Sequence, residues 1–417
     1  MPTSADVLIV GAGLAGLCCA KRLTEAGITF QIVEASDGIG GRVRTDQVDG
    51  FLLDRGFQVL LTAYPEAHKV LDYSRLDLKS FSPGALSWFA GRINPIVDPW
   101  RMPGMWREAL RSEFGTLGDK LRMARLRSRL KRTSVEEIFK RPERSTKDVL
   151  KSEGFSQEII RRFFRPFLGG ILLDSELKTT SRMFEFVFKM LSEGLTSVPA
   201  RGMGAIPAQI AEKFSADSVL RLNSRVESLH ENEIILADGE SMRARAIVVA
   251  TDGPSAAQLV GEAEPASRSV SCFYYAADEP PIPRPILTLN GDGAGPVNNF
   301  AVMSQVAPSY APAGKHLISV SVLGTQELTE AQLSGFVIAQ MKNWFGVVAR
   351  SWRLLKSYKI PHAQPQQYPG TLEPPERSVR VRPGIYVCGD HRDNASIDGA
   401  MFSGRRAAEA VIEDFTR

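Results

Sequence analysis

Apolar and polar positions along this chain switch between a strand-like and a helical period, and the first switch comes at once. Val7-Leu8-Ile9-Val10 is an unbroken apolar run of strand length. Gly11-Ala12-Gly13-Leu14-Ala15-Gly16 follows, and apolar residues then recur at helical spacing over residues 17–26. Gly27 closes that helix, and a second strand over residues 29–33 ends on Glu34. Further on, residues 65–71 read as helix and 80–103 as strand and loop. Residues 104–192 read as helices with boundaries near Pro142, Gly154 and Pro166. A helix follows to about residue 214. Strands are expected over 219–223, 225–230, 233–236 and 242–250, then over 270–276, 285–289, 300–305 and 317–323. A helix over 330–345, a strand near 351–358 and a final strand and helix after residue 384 complete the pattern.

The opening strand, glycine turn, helix and second strand form a βαβ unit, and each residue type has a physical use. Gly11 permits the tight turn, Gly13 leaves room for a pyrophosphate against the backbone, and Gly16 lets the helix pack closely on the sheet. Leu14 and Ala15 open the helix, whose free N–H groups and dipole favour phosphate. Glu34 is placed to accept hydrogen bonds from ribose hydroxyls, and an acid there disfavours a cofactor with a 2′-phosphate. A glycine triplet alone would equally suit an ordinary turn; here the strand before, the helix after and the distant acid all agree.

After Glu34-Ala35-Ser36-Asp37 the chain reads Gly38-Ile39-Gly40-Gly41-Arg42-Val43-Arg44-Thr45. This second Gly-Gly-Arg turn resembles that of the flavin-containing amine oxidase and phytoene desaturase superfamily. The resemblance implies FAD, with Gly40 and Gly41 lying against its phosphates and Arg42 adding a fixed cation. It extends through Asp54-Arg55-Gly56-Phe57-Gln58, where Gly56 would allow close approach and Phe57 and Gln58 would lie beside the isoalloxazine. The plain alternative is a strand with a bulge, and Arg55 stands where amine oxidases have a small or apolar residue. Val198-Pro199-Ala200-Arg201-Gly202-Met203-Gly204 resembles the segment that re-enters the FAD domain, with Arg201 replacing a glycine. The family's backbone at the position of Val226 holds adenine, and Ala250-Thr251 faces the pyrophosphate. Ile360-Pro361-His362-Ala363-Gln364-Pro365 resembles a loop near the flavin and makes His362 the candidate residue at the cavity. Near the C-terminus, Gly389-Asp390 and Asn394-Ala395-Ser396-Ile397-Asp398-Gly399-Ala400 resemble the family's last motif. Asp390 would bind the ribityl chain or pyrophosphate. Ser396, Ile397, Asp398 and Ala400 would bring a helix N-terminus to the flavin, with Gly399, Ala400, Ser403 and Gly404 packing that helix against the cofactor.

The fold implied is α/β: a Rossmann-like FAD-binding domain from residues 1–75, 193–255 and 379–417, with an inserted α+β substrate domain from 76–192 and 256–378. A sheet would form the floor and helices the lid. The aromatic stretch Phe163 to Phe167, with Met183, Phe184, Phe186, Val187, Phe188 and Met190, suits either plain core or the wall of a substrate cavity.

Composition narrows the picture only slightly. At 417 residues and net charge +4 the chain is too long for one simple core and is not a nucleic-acid binder by charge. Cys18, Cys19, Cys272 and Cys388 have no metal-site spacing and read as buried free thiols of a reducing compartment. With no secretory leader and no spanning apolar run, a cytoplasmic location is expected. Fourteen Lys and Arg against far fewer acids crowd residues 101–147. A solvated helix face explains such a run; attraction to an anionic membrane, as in carotenoid desaturases, is the sharper alternative.

The resemblance implies hydride transfer from a substrate carbon to flavin N5, with dioxygen or a quinone reoxidising the flavin. No metal and no Ser/His/Asp site is required. Monoamine oxidases have a Tyr where Ser396 stands and a Lys on the strand near Val270, so these departures favour a desaturase-type enzyme on a small apolar substrate. Cys388 lies away from the usual linkage loop, so the FAD would be non-covalent. An FAD amine oxidase is the alternative. A non-catalytic binder, like the Rab GDP-dissociation inhibitors that hold prenylated proteins on this fold, is the second.

Overall fold

The apolar run Val7–Val10 becomes the third strand of a six-stranded sheet in the computed structural model, which describes residues 5–102, 104, 107, 115–214, 219–324 and 327–417. The order is Leu220–Arg221, Phe30–Val33, Val7–Val10, Ala246–Val249, Ile385–Val387 and Arg380–Arg382. Every neighbouring pair is parallel except the last. A parallel sheet is covered on both faces, which explains the unbroken apolar run. Val7 and Ile9 face the first helix, Leu14–Glu25, and the C-terminal helix, Ile397–Thr416. Leu8 and Val10 face a small antiparallel sheet, Val226–His230, Glu233–Leu236 and Ser241–Arg243, and the helix Gly253–Val260.

The two helices on the first face meet through glycine. A Cβ on Gly16 would lie 2.0 Å from the Gly11 carbonyl oxygen, and one on Gly404 would lie 2.1 Å from that of Ala15. Gly404 thus packs the last helix against the first helix rather than against the cofactor space, and Ser403 accepts a hydrogen bond from the Gly389 N–H at 3.1 Å. Of the four small residues expected to face the cofactor, Ala400 lines the cavity described below.

A second, seven-stranded sheet runs Arg353–Pro365, Ser267–Ala277, His316–Leu323, Val297–Val302, Thr288–Asn290, Ala85–Phe89 and Arg92–Ile96. One face packs on the helix Glu330–Phe345 through Phe273, Val320, Val337 and Met341. Cys272, Tyr274 and Ala301 on the other face join the main core, towards the helices Arg165–Leu172 and Ser181–Glu193. The strand expected over residues 300–305 ends at Val302, and Met303–Val306 forms one helical turn. The reason is local: the Ser304 hydroxyl accepts the Leu317 N–H at 3.1 Å and ends the ladder. The strand expected near 351–358 is longer, Arg353–Pro365, and absorbs the segment read as a loop at 360–365. Of the expected 285–289 strand only Thr288 and Leu289 are strand, and Asn290 extends it to Thr288–Asn290. Part of the helical region expected over 104–192 lies outside the described residues.

The close contact at Gly404 is testable. Gly404→Ala puts a methyl group against backbone that has no freedom to retreat, and should cost about 1–3 kcal/mol. Calorimetry should show a lower unfolding midpoint; an unchanged midpoint would disprove this packing.

Candidate functional site

A single cavity of about 1690 Å³ is lined by both ends of the chain and by the seven-stranded sheet. Pockets for small molecules run to roughly 300–1,000 Å³, so this one has room for a dinucleotide and a further molecule. Gly11 takes φ +106, and a Cβ there would strike the Ala250 carbonyl oxygen at 2.8 Å. Over Gly13 a Cβ would meet nothing within 4 Å, so open cavity lies above its backbone. Gly13 caps the first helix without a side chain, and no acid sits in the first turn, so the helix offers its N–H groups to an anion. Gly16 does not line the cavity; it serves the strand–helix contact.

Glu34 is held in place from two sides. Its Oε2 accepts the Ala12 N–H at 2.7 Å, and its Oε1 accepts from the Ser36 N–H at 2.9 Å and the Ser36 hydroxyl at 2.7 Å. The second glycine turn lies on the first: Gly40 donates to the Ala12 carbonyl at 2.8 Å, and a Cβ on Gly41 would be 3.3 Å from Gly13. Arg42 then reaches across the molecule. Its guanidinium donates to Asp390 Oδ1 at 2.7 Å and to the Ala363 carbonyl at 2.8 Å. Ala35, Val226, Ala250, Thr251 and Gly389 line the same cavity.

The turn after strand Phe51–Asp54 also faces the cavity, through Gly56, Phe57 and Gln58. Gly56 has φ +101, and its carbonyl accepts the Tyr274 hydroxyl at 3.3 Å. Gln58 donates to the Arg42 carbonyl at 2.7 Å, while its buried Oε1 has no partner among the described residues. Arg55 pairs with Asp46 at 2.9 Å, and Asp46 also accepts from Lys356 and Tyr358, so this residue ties the turn to the sheet. Asp54 anchors everything from below, accepting from the Thr45 hydroxyl, the Met203 N–H and the Tyr310 hydroxyl at 2.5, 2.8 and 2.8 Å. Gly202 and Gly204, which resemble the family's re-entry motif, pack on Thr45 and do not line the cavity.

Two candidate residues are placed elsewhere. His362 is exposed and outside the cavity. Between Ile360, paired with Val270, and Gln364, paired with Arg268, the strand bulges; Ile360, Ala363 and Gln364 line the cavity while His362 turns to solvent. Asp398 is buried but points away: its carboxylate accepts from Glu66 N–H at 2.7 Å and Ala67 N–H at 3.1 Å. Its neighbours Ser396, Ile397 and Ala400 do line the cavity, and the Ser396 hydroxyl caps the Gly399 N–H at 3.0 Å.

The aromatic stretch divides. Phe163 and Phe167 stack at 5.0 Å between ring centres and line the cavity with Val187 and Phe188, whereas Met183, Phe184, Phe186 and Met190 are core. The basic helix, Leu117–Arg132, is only partly a solvated face: Lys120 and Arg127 line the cavity and Arg129 engages Glu153 and Glu185. Gln364, in the segment expected near the flavin, lines the cavity, as do Asn299 and Ser321, which the sequence did not single out. Asn299 and Ser321 are polar positions inside otherwise apolar strands, and that was the available signal.

The glycine-cradled helix N-terminus, the anchored Glu34 and the Arg42 bridge between both chain ends suit a dinucleotide. Residues 14–412 match the family model of flavin containing amine oxidoreductases, and the chain belongs to that family. It is a flavin-dependent oxidoreductase, which displaces the non-catalytic reading. The chain is 23% identical to a 15-cis-phytoene desaturase of an Oncidium hybrid cultivar, over 99% of this chain and 78% of the relative. It is 21% identical to protoporphyrinogen oxidase 2 of Arabidopsis thaliana, over 97% and 93%. A solved structure of putrescine oxidase bound to putrescine shares the fold, with TM-score 0.74 and 18% identity over 99% of both chains.

Two outcomes follow from this geometry. Arg42→Ala leaves the buried Asp390 carboxylate unpaired beside the glycine turns, so flavin affinity should fall about ten- to a hundredfold. Fluorescence titration of the apoprotein with FAD measures it, and unchanged affinity would remove Arg42 from the site. Burial raises the Asp54 carboxyl to about 6. The folded state therefore holds the extra proton between about pH 4 and 6, and stability falls as pH rises through that window. Asp54→Asn should show a smaller drop in unfolding midpoint from pH 4.5 to 7.5 than the parent; an equal drop would mean that Asp54 does not titrate as described.

Proposed function

We propose that the protein holds FAD without a covalent bond and oxidises a small apolar organic molecule by two electrons, with dioxygen or a quinone as acceptor. The carrying observation is the apolar wall made by Phe163, Phe167, Val187, Phe188 and Leu191, with the amide and hydroxyl groups of Asn299, Ser321 and Gln364 among the other lining residues. When bound, FAD supplies the redox chemistry, accepting a hydride at N5 and passing electrons onward. The residues present fit that group. The open space over Gly13 suits a pyrophosphate, Glu34 suits the adenosine ribose, and Gln58 Oε1 offers an acceptor to an N–H. The start of helix Ile397–Thr416 presents its positive end where Ser396 and Ile397 line the cavity, which favours added negative charge. The apolar wall excludes water. Cys388 is buried and outside the cavity, and His362 faces solvent, which supports non-covalent binding.

An apolar substrate is met in lipid. Trp100, Leu117 and Leu121 line the cavity and are also exposed, beside the outward Arg125, Lys131 and Arg132. This supports peripheral contact with an anionic membrane. No helix among the described residues is long and apolar enough to cross one.

The test is an anaerobic visible spectrum of the purified protein, before and after adding a lipid and pigment extract or an amine panel. Flavin bands that bleach with the apolar extract alone, and flavin released into the supernatant by acid precipitation, are expected. Bleaching by amines would replace this reading with an amine oxidase.

A further inference from the structure

One part of the cavity carries charge that the apolar wall does not explain. It is lined by Asp98, Trp100 and Arg101, and by Lys120 and Arg127 of the basic helix. The two guanidiniums are turned inward, with side chains 19% and 14% exposed. They share one carboxylate. Arg127 lies 3.4 Å from Asp98 Oδ2 and donates to the Ser192 carbonyl at 3.2 Å, while Arg101 reaches the same oxygen only at 4.0 Å. Asp98 Oδ1 is already taken by the Trp100 N–H at 3.1 Å. The other acid lining this part, Asp119, is spent on the N–H and hydroxyl groups of Thr116 and Ser156. Arg101 is thus a largely buried cation with half a partner among the described residues, and its guanidinium is a planar fork suited to an oxyanion.

Resting on the reading of this cavity as the substrate site, we propose that Arg101, with Arg127 beside it, binds an anionic group, a carboxylate or phosphate, at the far end of the substrate. The substrate class becomes an amphipathic molecule. Its apolar body lies along Phe163 and Phe167 and its oxyanion is held away from the reacting carbon. Burial holds the Arg101 guanidinium below its usual pKa, the direction expected of a cation awaiting a partner, and the nearby Arg127 pushes the same way against Asp98. An anion there relieves both effects. The charge also fixes direction: an apolar chain alone slides along a smooth wall, whereas a tethered end sets which carbon lies at the flavin turn.

The probes are decanoate, decyl phosphate, decanol and decylamine, titrated into the flavin-loaded protein and followed by tryptophan fluorescence and by shifts in the flavin bands. Neither readout requires turnover, so failure here is distinct from failure of the redox reading. Decanoate or decyl phosphate should bind about tenfold or more tightly than decanol and decylamine, and lose that advantage in high salt. Arg101→Gln should reduce the anions to the affinity of decanol, leave decanol and flavin content unchanged, and recover in part as Arg101→Lys. Arg75→Gln, a surface cation outside the cavity, should change nothing. Equal binding of decanoate and decanol would overturn the proposal, as would equal loss of both in Arg101→Gln. It would also fall if Arg101→Gln abolished sedimentation with phosphatidylglycerol vesicles while sparing decanoate, since Arg101 would then serve the membrane instead.

Discussion

Two places where backbone touches backbone hold this molecule together. Gly16 lies over the Gly11 carbonyl and Gly404 over that of Ala15, with no room for a methyl group at either. The first contact seats the opening helix on its strand. The second brings the last helix onto the first, although nearly the whole chain lies between them in sequence. The part of the cavity built by both chain ends follows from that juxtaposition. Gly11 to Ala15 arrive from one side, Gly389, Asp390 and the 396–400 helix start from the other, and Arg42 closes the gap by its bond to Asp390.

A second set of contacts transmits this order to the seven-stranded sheet. Asp54 gathers Thr45, Met203 and Tyr310, residues from three separate stretches of chain. It sits immediately before the turn that carries Gly56 and Gln58. Tyr274 braces that turn from the second sheet, and Asp46 braces it through Arg55, Lys356 and Tyr358. A buried carboxylate raised to about 6 is a costly anchor, and its three donors offset only part of that cost.

The cavity has three kinds of lining. A helix N-terminus and an anchored acid make one, stacked phenylalanines another, and Arg101 and Arg127, which share Asp98 among the described residues, the third. On the proposed reading, such a lining would order a long ligand by charge and keep dinucleotide and substrate apart within one enclosure.

The amino-acid sequence by itself determined what depends on neighbours along the chain. The βαβ unit, Glu34, the Gly-Gly-Arg turn and the closing Gly-Asp strand were legible because turn geometry, helix dipoles and apolar periodicity act over a few residues. The tertiary structure decided what depends on partners distant in sequence. His362 faces solvent because a bulge against Arg268 and Val270 rotates it outward, and no local signal marks that register. Asp398 turns to cap residues 66–67, more than 300 positions earlier. The 117–132 helix looks uniformly basic, yet packing alone sends Arg127 inward and Arg125 to solvent. Side-chain direction is set by what lies opposite, and a linear pattern carries no record of it.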